Sequence, residues 1–205
     1  MTKKFTLSIF AAAAAIGLFS CDNGAMRLSR DIEGSWSGAP EKLVQSGSSE
    51  ATVIETYDFL GNDSINGGNI IINSILSVTG QITGSEAIMQ PFSLTASGSA
   101  TISGTWRAID DDEISIALDP RTLQVNVDPD AIVLSNNILS GTEAPSVDSI
   151  APGIAAQIRS QMSQALEMRY LTIKHLDDVK IKDNILKYEI ADIDYLLQRQ
   201  GIPVK

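Results

Sequence analysis

The chain has one cysteine, Cys21, and one histidine, His175, in 205 residues. A single thiol can close no internal disulfide, so an exported fold of this sequence cannot lean on a disulfide framework. A lone imidazole also leaves too few ligands for a zinc cage, which needs three or four Cys, His or acidic groups. Long apolar runs are missing too. The run at residues 5–19 makes a helix of roughly 22 Å at about 1.5 Å per residue, short of the roughly 30 Å hydrocarbon core that a permanent span must cross. Basic residues are few: 15 Lys and Arg stand against 25 Asp and Glu, for a formal net charge of −10. Such a surface repels nucleic-acid phosphate and anionic headgroups, which argues against a nucleic-acid partner or a peripheral electrostatic membrane site. No Gly-x-Ser-x-Gly elbow and no glycine-rich phosphate loop occurs. No enzyme activity, metal or cofactor is expected.

What is present begins at the N-terminus. Lys3 and Lys4 precede the apolar run, which closes on Leu18, Phe19, Ser20 and Cys21. That order is the layout of an export signal. Its end resembles the bacterial lipobox, in which a Leu stands three before an invariant Cys and a small residue directly before it. Leu18, Ser20 and Cys21 match, while Phe19 is bulkier than the usual occupant. The resemblance implies removal of a lipoprotein signal peptide, residues 1–20, and lipidation of Cys21. Lipidation would also cap the one free thiol. At about 0.8 kcal/mol per buried methylene, two or more acyl chains of palmitate type make attachment effectively stable. The expected location is the cell envelope, lipid-anchored in the outer membrane of a Gram-negative bacterium.

Loss of residues 1–20 removes Lys3 and Lys4 and no acid, which makes the net charge two units more negative than −10. Attachment then has to come from the lipid. Residues 22–31 show little apolar patterning, so 21–31 reads as a lipidated tether and 32–205 as one domain with a sizeable core.

From residue 52 to 127 the apolar residues alternate with period two between turn signals, the mark of antiparallel sheet. Ala100, Ile102, Gly104, Trp106 and Ala108 share one face, as do Ile114, Ile116 and Leu118, and then Leu123, Val125 and Val127. Upstream, Ile70, Ile72, Leu76 and Val78 line one strand and residues 53–60 another. Asp119-Pro120 supplies a turn, as do Asp110, Asp111, Asp112 and Glu113, whose carboxylates read as a solvated hairpin rather than a calcium site. Within a helical insertion at 148–169, Ile154, Ile158, Met162, Ala165 and Leu166 recur at helical spacing, so an amphipathic helix is expected over about 150–168 with Pro152 near its start. Residues 179–190 read as a hairpin turning at Asp183-Asn184.

Gly34-Ser35-Trp36 opens the domain, Tyr57-Asp58-Phe59 with Gly61 follows, and Gly104-Thr105-Trp106 leads through the acidic turn to Ile114, Ile116 and Leu118. In that order the motifs resemble the lipocalin-like, or calycin-like, lipoproteins of bacterial envelopes. The resemblance implies a mainly β protein: an antiparallel lipocalin-like β-barrel of roughly eight to ten strands, closed or incompletely closed, with one amphipathic helix. Gly34, Trp36, Gly104 and Trp106 are its fold signature. No basic residue is matched to the family's barrel-closing arginine. Eight strands enclose room for side chains or one small ligand. The expected function is a non-catalytic binding module for a small apolar molecule, glycan or peptide. The alternative is a structural or protein-interaction component of the envelope with a filled barrel. Asp63-Ser64-Ile65 and Asp148-Ser149-Ile150 further resemble the acceptor of a general O-glycosylation system, which makes Ser64 and Ser149 candidate modification sites.

Overall fold

The computed structural model describes residues 22–62, 66–82, 92–135 and 147–201. Among these residues are two α-helices, α1 (Asp22–Ile32) and α2 (Val147–Thr172), and eleven strands. The strands are β1 (Gly34–Gly38), β2 (Glu41–Ser46), β3 (Ser49–Gly61), β4 (Gly67–Ile82), β5 (Phe92–Ala108), β6 (Ile114–Leu118), β7 (Gln124–Val127), β8 (Val133–Ser135), β9 (His175–Lys182), β10 (Ile185–Ile190) and β11 (Ile193–Arg199). All pairings are antiparallel.

Eight strands close into a lipocalin-like β-barrel in the order β1-β3-β4-β5-β6-β9-β10-β11 and back to β1. β1 makes the closure, because it pairs on both sides: Trp36 lies opposite Tyr57 of β3 and opposite Arg199 of β11. Closure removes the unpaired edges that an open sheet would carry. The remaining three strands extend the wall: β2 pairs with β3, and β7 and β8 pair with the first half of β5. The strand count therefore exceeds the eight to ten expected, while the ring itself has eight.

β4 and β5, of 16 and 17 residues, rise well beyond the ring, roughly 50 Å at about 3.3 Å per residue. Their upper halves belong to an open sheet that ends in β2 on one side and β7 with β8 on the other. α2 packs against both margins, β2 and β7. Its buried stripe is Ala151, Ala155, Ile158, Met162, Leu166 and Tyr170, with Ile154 packed at the side. The stripe has the spacing of three and four that lays one helical face on a core. α2 is longer than the 150–168 read from sequence, and Pro152 lies inside it rather than at its start.

The inward faces follow the alternation. Ala100, Ile102, Trp106 and Ala108 are buried together, as are Ile70, Ile72 and Leu76, and Trp36 is fully buried. Gly104 lies on the Trp106 face, opposite Ile70 and Leu118. Phe59 and Trp106 meet edge to face at 5.6 Å, an arrangement that aromatic quadrupoles favour.

One expectation is corrected. Residues 22–31 are not a tether: they form α1, with Ala25, Leu28, Ser29 and Ile32 buried across one end of the barrel, here called its base. The apolar positions are spaced for a helix, but Arg27, Arg30 and Asp31 between them dilute the pattern. The second helix is thus additional to the one expected. The closure also carries a basic residue that the sequence did not single out, Arg199 of β11. Its guanidinium stacks 4.1 Å from the Trp36 ring centroid and donates to the carbonyls of Glu33 at 2.7 Å and Asp31 at 2.5 Å. It ties β11, Trp36 and the end of α1 into one closure by cation–π contact and forked donation. Gly34 has φ +124°, and a Cβ there would stand 3.0 Å from an Arg199 nitrogen, so this position requires glycine. The Asp183-Asn184 hairpin is as expected, with φ of 51° and 66°.

Candidate functional site

Alternation on β3 turns Ala51, Val53, Glu55, Tyr57 and Phe59 inward, which places a carboxylate among apolar side chains. Glu55 is 4% exposed. Its partner arrives from the last turns of α2. Arg169 donates through Nε and Nη2 to the two Glu55 oxygens, each at 2.9 Å, and Nη2 also reaches Glu41 of β2 at 2.8 Å. Tyr57 donates to Glu55 at 3.0 Å, and the Tyr170 and Ser74 hydroxyls share a hydrogen bond of 2.7 Å. Two-pronged Arg–carboxylate pairs are among the strongest side-chain contacts and also fix orientation. Among the described residues every buried side-chain polar atom is partnered.

The consequence is a filled barrel mouth. The space left beside the ion pair, bounded by Gly38, Val53, Tyr57, Tyr188 and Leu197, is about 10 Å³. One water barely fits such a volume.

The tyrosines here are held protonated. Burial is the main cause of the raised Tyr57 pKa, followed by the nearby Tyr188 and Glu55. Burial also leads for Tyr170 and Tyr188, with Glu55 adding to each. Arg169 is pushed further up: burial alone would lower it, but hydrogen bonds and charge from Glu55 and Glu41 outweigh that. A phenol whose folded pKa lies above its unfolded value contributes stability that is complete below about pH 10 and is lost as pH rises through the folded value. Ultraviolet titration should therefore find Tyr57, Tyr170 and Tyr188 un-ionised well past pH ~10 until the fold gives way. Reversible ionisation of all tyrosines near pH ~10 in folded protein would contradict this packing.

A second space lies beside the network. After Leu118 the chain leaves β5 and returns at Gln124 as β7. Asp119 caps the intervening 3-10 turn by accepting from the Arg121 N–H at 3.0 Å. The opening leaves the Ser103 backbone partnered on both sides. Thr122 Oγ1 accepts from the Ser103 N–H at 2.9 Å, and the Asp119 N–H donates to the Ser103 carbonyl at 2.9 Å. Between this excursion and the last turn of α2 is a cleft of about 240 Å³. Ile102, Ile116, Leu118, Leu123 and Ile173 give it apolar walls, Tyr170 adds a ring, and Glu167 and Lys174 also line it. Residues 128–132 repeat the excursion, with Asp128 capping the Asp130 N–H at 3.0 Å, and α2 packs on that second turn. Sequence reading took Asp119-Pro120 as a plain turn. The signal it missed is the repeat Asp-Pro-x-x-Leu/Ile, which recurs nine residues on.

The residues singled out from sequence do not come together here. Cys21 and Ser64 lie outside the described residues, and Ser149 lies in the first turn of α2 with its side chain outside the description. His175 opens β9, half exposed, with Nδ1 3.2 Å from a Glu113 oxygen at the surface. Asp110, Asp111 and Asp112 are exposed in the β5–β6 turn. Glu55 and Arg169 were not foreseen. Glu55 was findable, because the alternation of β3 places it inward and an inward carboxylate demands a cation.

The chain matches no family model and no curated protein sequence.

Proposed function

We propose that this protein is a lipid-anchored lipoprotein of the cell envelope, held by acyl chains on Cys21, and a non-catalytic binding module for a small apolar molecule. We infer kinship with the lipocalin-like envelope lipoproteins, supported by the Arg199–Trp36 closure. The observation that carries the binding reading is the apolar cleft of about 240 Å³ between residues 119–123 and the end of α2. It lies just under the roughly 300 Å³ at which drug-sized ligand pockets begin, which fits a small or slender ligand. The ligand enters through the side of the barrel, because Arg169 and Glu55 occupy the mouth.

A second reading, a structural or protein-interaction component, is favoured by that same filled mouth. The two differ in one experiment on the acylated protein purified from its host. Native mass spectrometry should find a bound small molecule, and an environment-sensitive naphthalene probe should bind saturably. Leu171 lines the cleft yet is 54% exposed, so Leu171→Arg should abolish probe binding with an unchanged melt. Unliganded protein without saturable binding would favour the structural role, and absence of acyl mass on Cys21 would remove the anchor from either reading.

A further inference from the structure

We propose that α1 seats the barrel directly on the bilayer, with the base of the barrel facing a zwitterionic lipid surface. This rests on the lipidation of Cys21 proposed above. Cys21 is followed at once by Asp22, the first residue of α1, and consecutive Cα atoms are about 3.8 Å apart. The acylated residue therefore has no tether between it and the fold.

α1 itself is fixed to the barrel from Gly24 to Ile32. Ala25, Leu28 and Ile32 are buried in the core. At its first turn, a Cβ on Gly24 would stand 2.6 Å from the Asp111 Cβ, so the helix backbone lies against the β5–β6 turn. At its far end, the Trp36 Nε1–H donates to the Ile32 carbonyl at 2.7 Å, and Arg199 holds the carbonyls of Asp31 and Glu33. A lipid on Cys21, joined directly to Asp22 at the start of this helix, would therefore bring the base nearest the membrane.

The exposed chemistry of the base fits that position. Arg27 and Arg30 project from the outer face of α1. Leu60 and Ile109, 46% and 49% exposed, end β3 and follow β5 at this same end, where Gly67 of β4 lies opposite Arg107. Arginines can meet lipid phosphate, and apolar side chains rest at the headgroup boundary. Asp110, Asp111 and Asp112 stand on the same rim. The mixture of guanidinium and carboxylate complements a zwitterionic headgroup rather than an anionic one, in keeping with the acidic net charge. The opposite end is the β2–β3 turn at Gly47 and Ser48. It lies about 40 Å from the base along the 13 residues of β3.

The test is depth-dependent quenching on the acylated mature chain in phosphatidylcholine vesicles. Lipid occupies Cys21, so single fluorophores can be placed through Arg27→Cys, Ile109→Cys and Ser48→Cys. A headgroup-attached quencher should cause loss of emission at residues 27 and 109 and leave residue 48 as bright as in water. A Gly24→Leu side chain forces the first turn of α1 away from Asp111 and should narrow that contrast without loss of acyl mass. Equal quenching at base and tip, or stronger quenching at the tip, overturns the seating and leaves the lipoprotein reading intact. Mass spectrometry showing Cys21 without acyl chains overturns both.

Discussion

Arg169→Met should destabilise the domain by about 3–5 kcal/mol, the usual consequence of stripping one partner from a buried ion pair. The Arg169 side chain is 20% exposed and Glu55 only 5%, so the orphaned carboxylate has little water to turn to. Tyr57 would remain as its hydrogen-bond donor, which a carboxylate with two oxygens cannot find sufficient. At roughly 2–4 °C per kcal/mol for a domain of this size, the melting temperature should fall by about 10 °C. The control decides the cause. Replacing both charges by apolar residues, Glu55→Leu with Arg169→Met, removes the unpaired buried charge and should recover part of the loss, because hydrophobic substitutes for a buried pair are often neutral while the Tyr57 hydroxyl still loses its acceptor. If the double variant melts as low as the single one, the arginine matters for its packing and not for its charge. If the single variant melts like the parent, α2 does not seat against β3 as described.

The period-two pattern that revealed the barrel also hid its most informative residues. Alternation works because one face of each strand is buried, and Ile70, Ile72, Trp106 and Ile114 follow it without exception. Glu55 obeys the same register, yet a reader who scores only apolar residues passes over it. Arg169 is harder to find, since its partners Glu41 and Glu55 are more than 100 positions away in sequence and meet it only once α2 crosses the open sheet. Arg199 was invisible for a related reason. It reaches Trp36 and the end of α1 only when β11 pairs with β1, and nothing local marks it. α1 was misread because 11 residues with four apolar positions are too short and too charged to form a helix alone; the barrel base supplies the burial that their sequence lacks. The candidate cleft depends on a gap in strand pairing, which single-strand patterns do not report. Only its Asp-Pro repeat was legible.

Ile158→Asp should unfold the upper half of the molecule, and with it the cooperative domain. Ile158 is 5% exposed at the middle of the stripe formed by Ala151, Ala155, Met162, Leu166 and Tyr170. A carboxylate at that point has no basic neighbour on the stripe, so it must either remain charged in an apolar contact or take up a proton; both cost several kcal/mol. The native marginal stability of a domain is of the same order, about 5–15 kcal/mol. The effect should spread beyond the helix. α2 contacts β2 and β7, the two margins of the open sheet, and its last turns deliver Arg169 to Glu55 and Tyr170 to Ser74. Undocking α2 would therefore leave Glu55 unpaired at the barrel mouth and remove one wall of the 240 Å³ cleft. Gln157→Asp places the same charge on the exposed face one residue earlier and should change stability by no more than about 0.5 kcal/mol. Chemical denaturation followed by tryptophan fluorescence compares them, since Trp36 and Trp106 both sit in the closed part of the barrel. If Ile158→Asp melts with its parent, the stripe is free in solution. α2 would then be a docking face rather than a brace for the sheet.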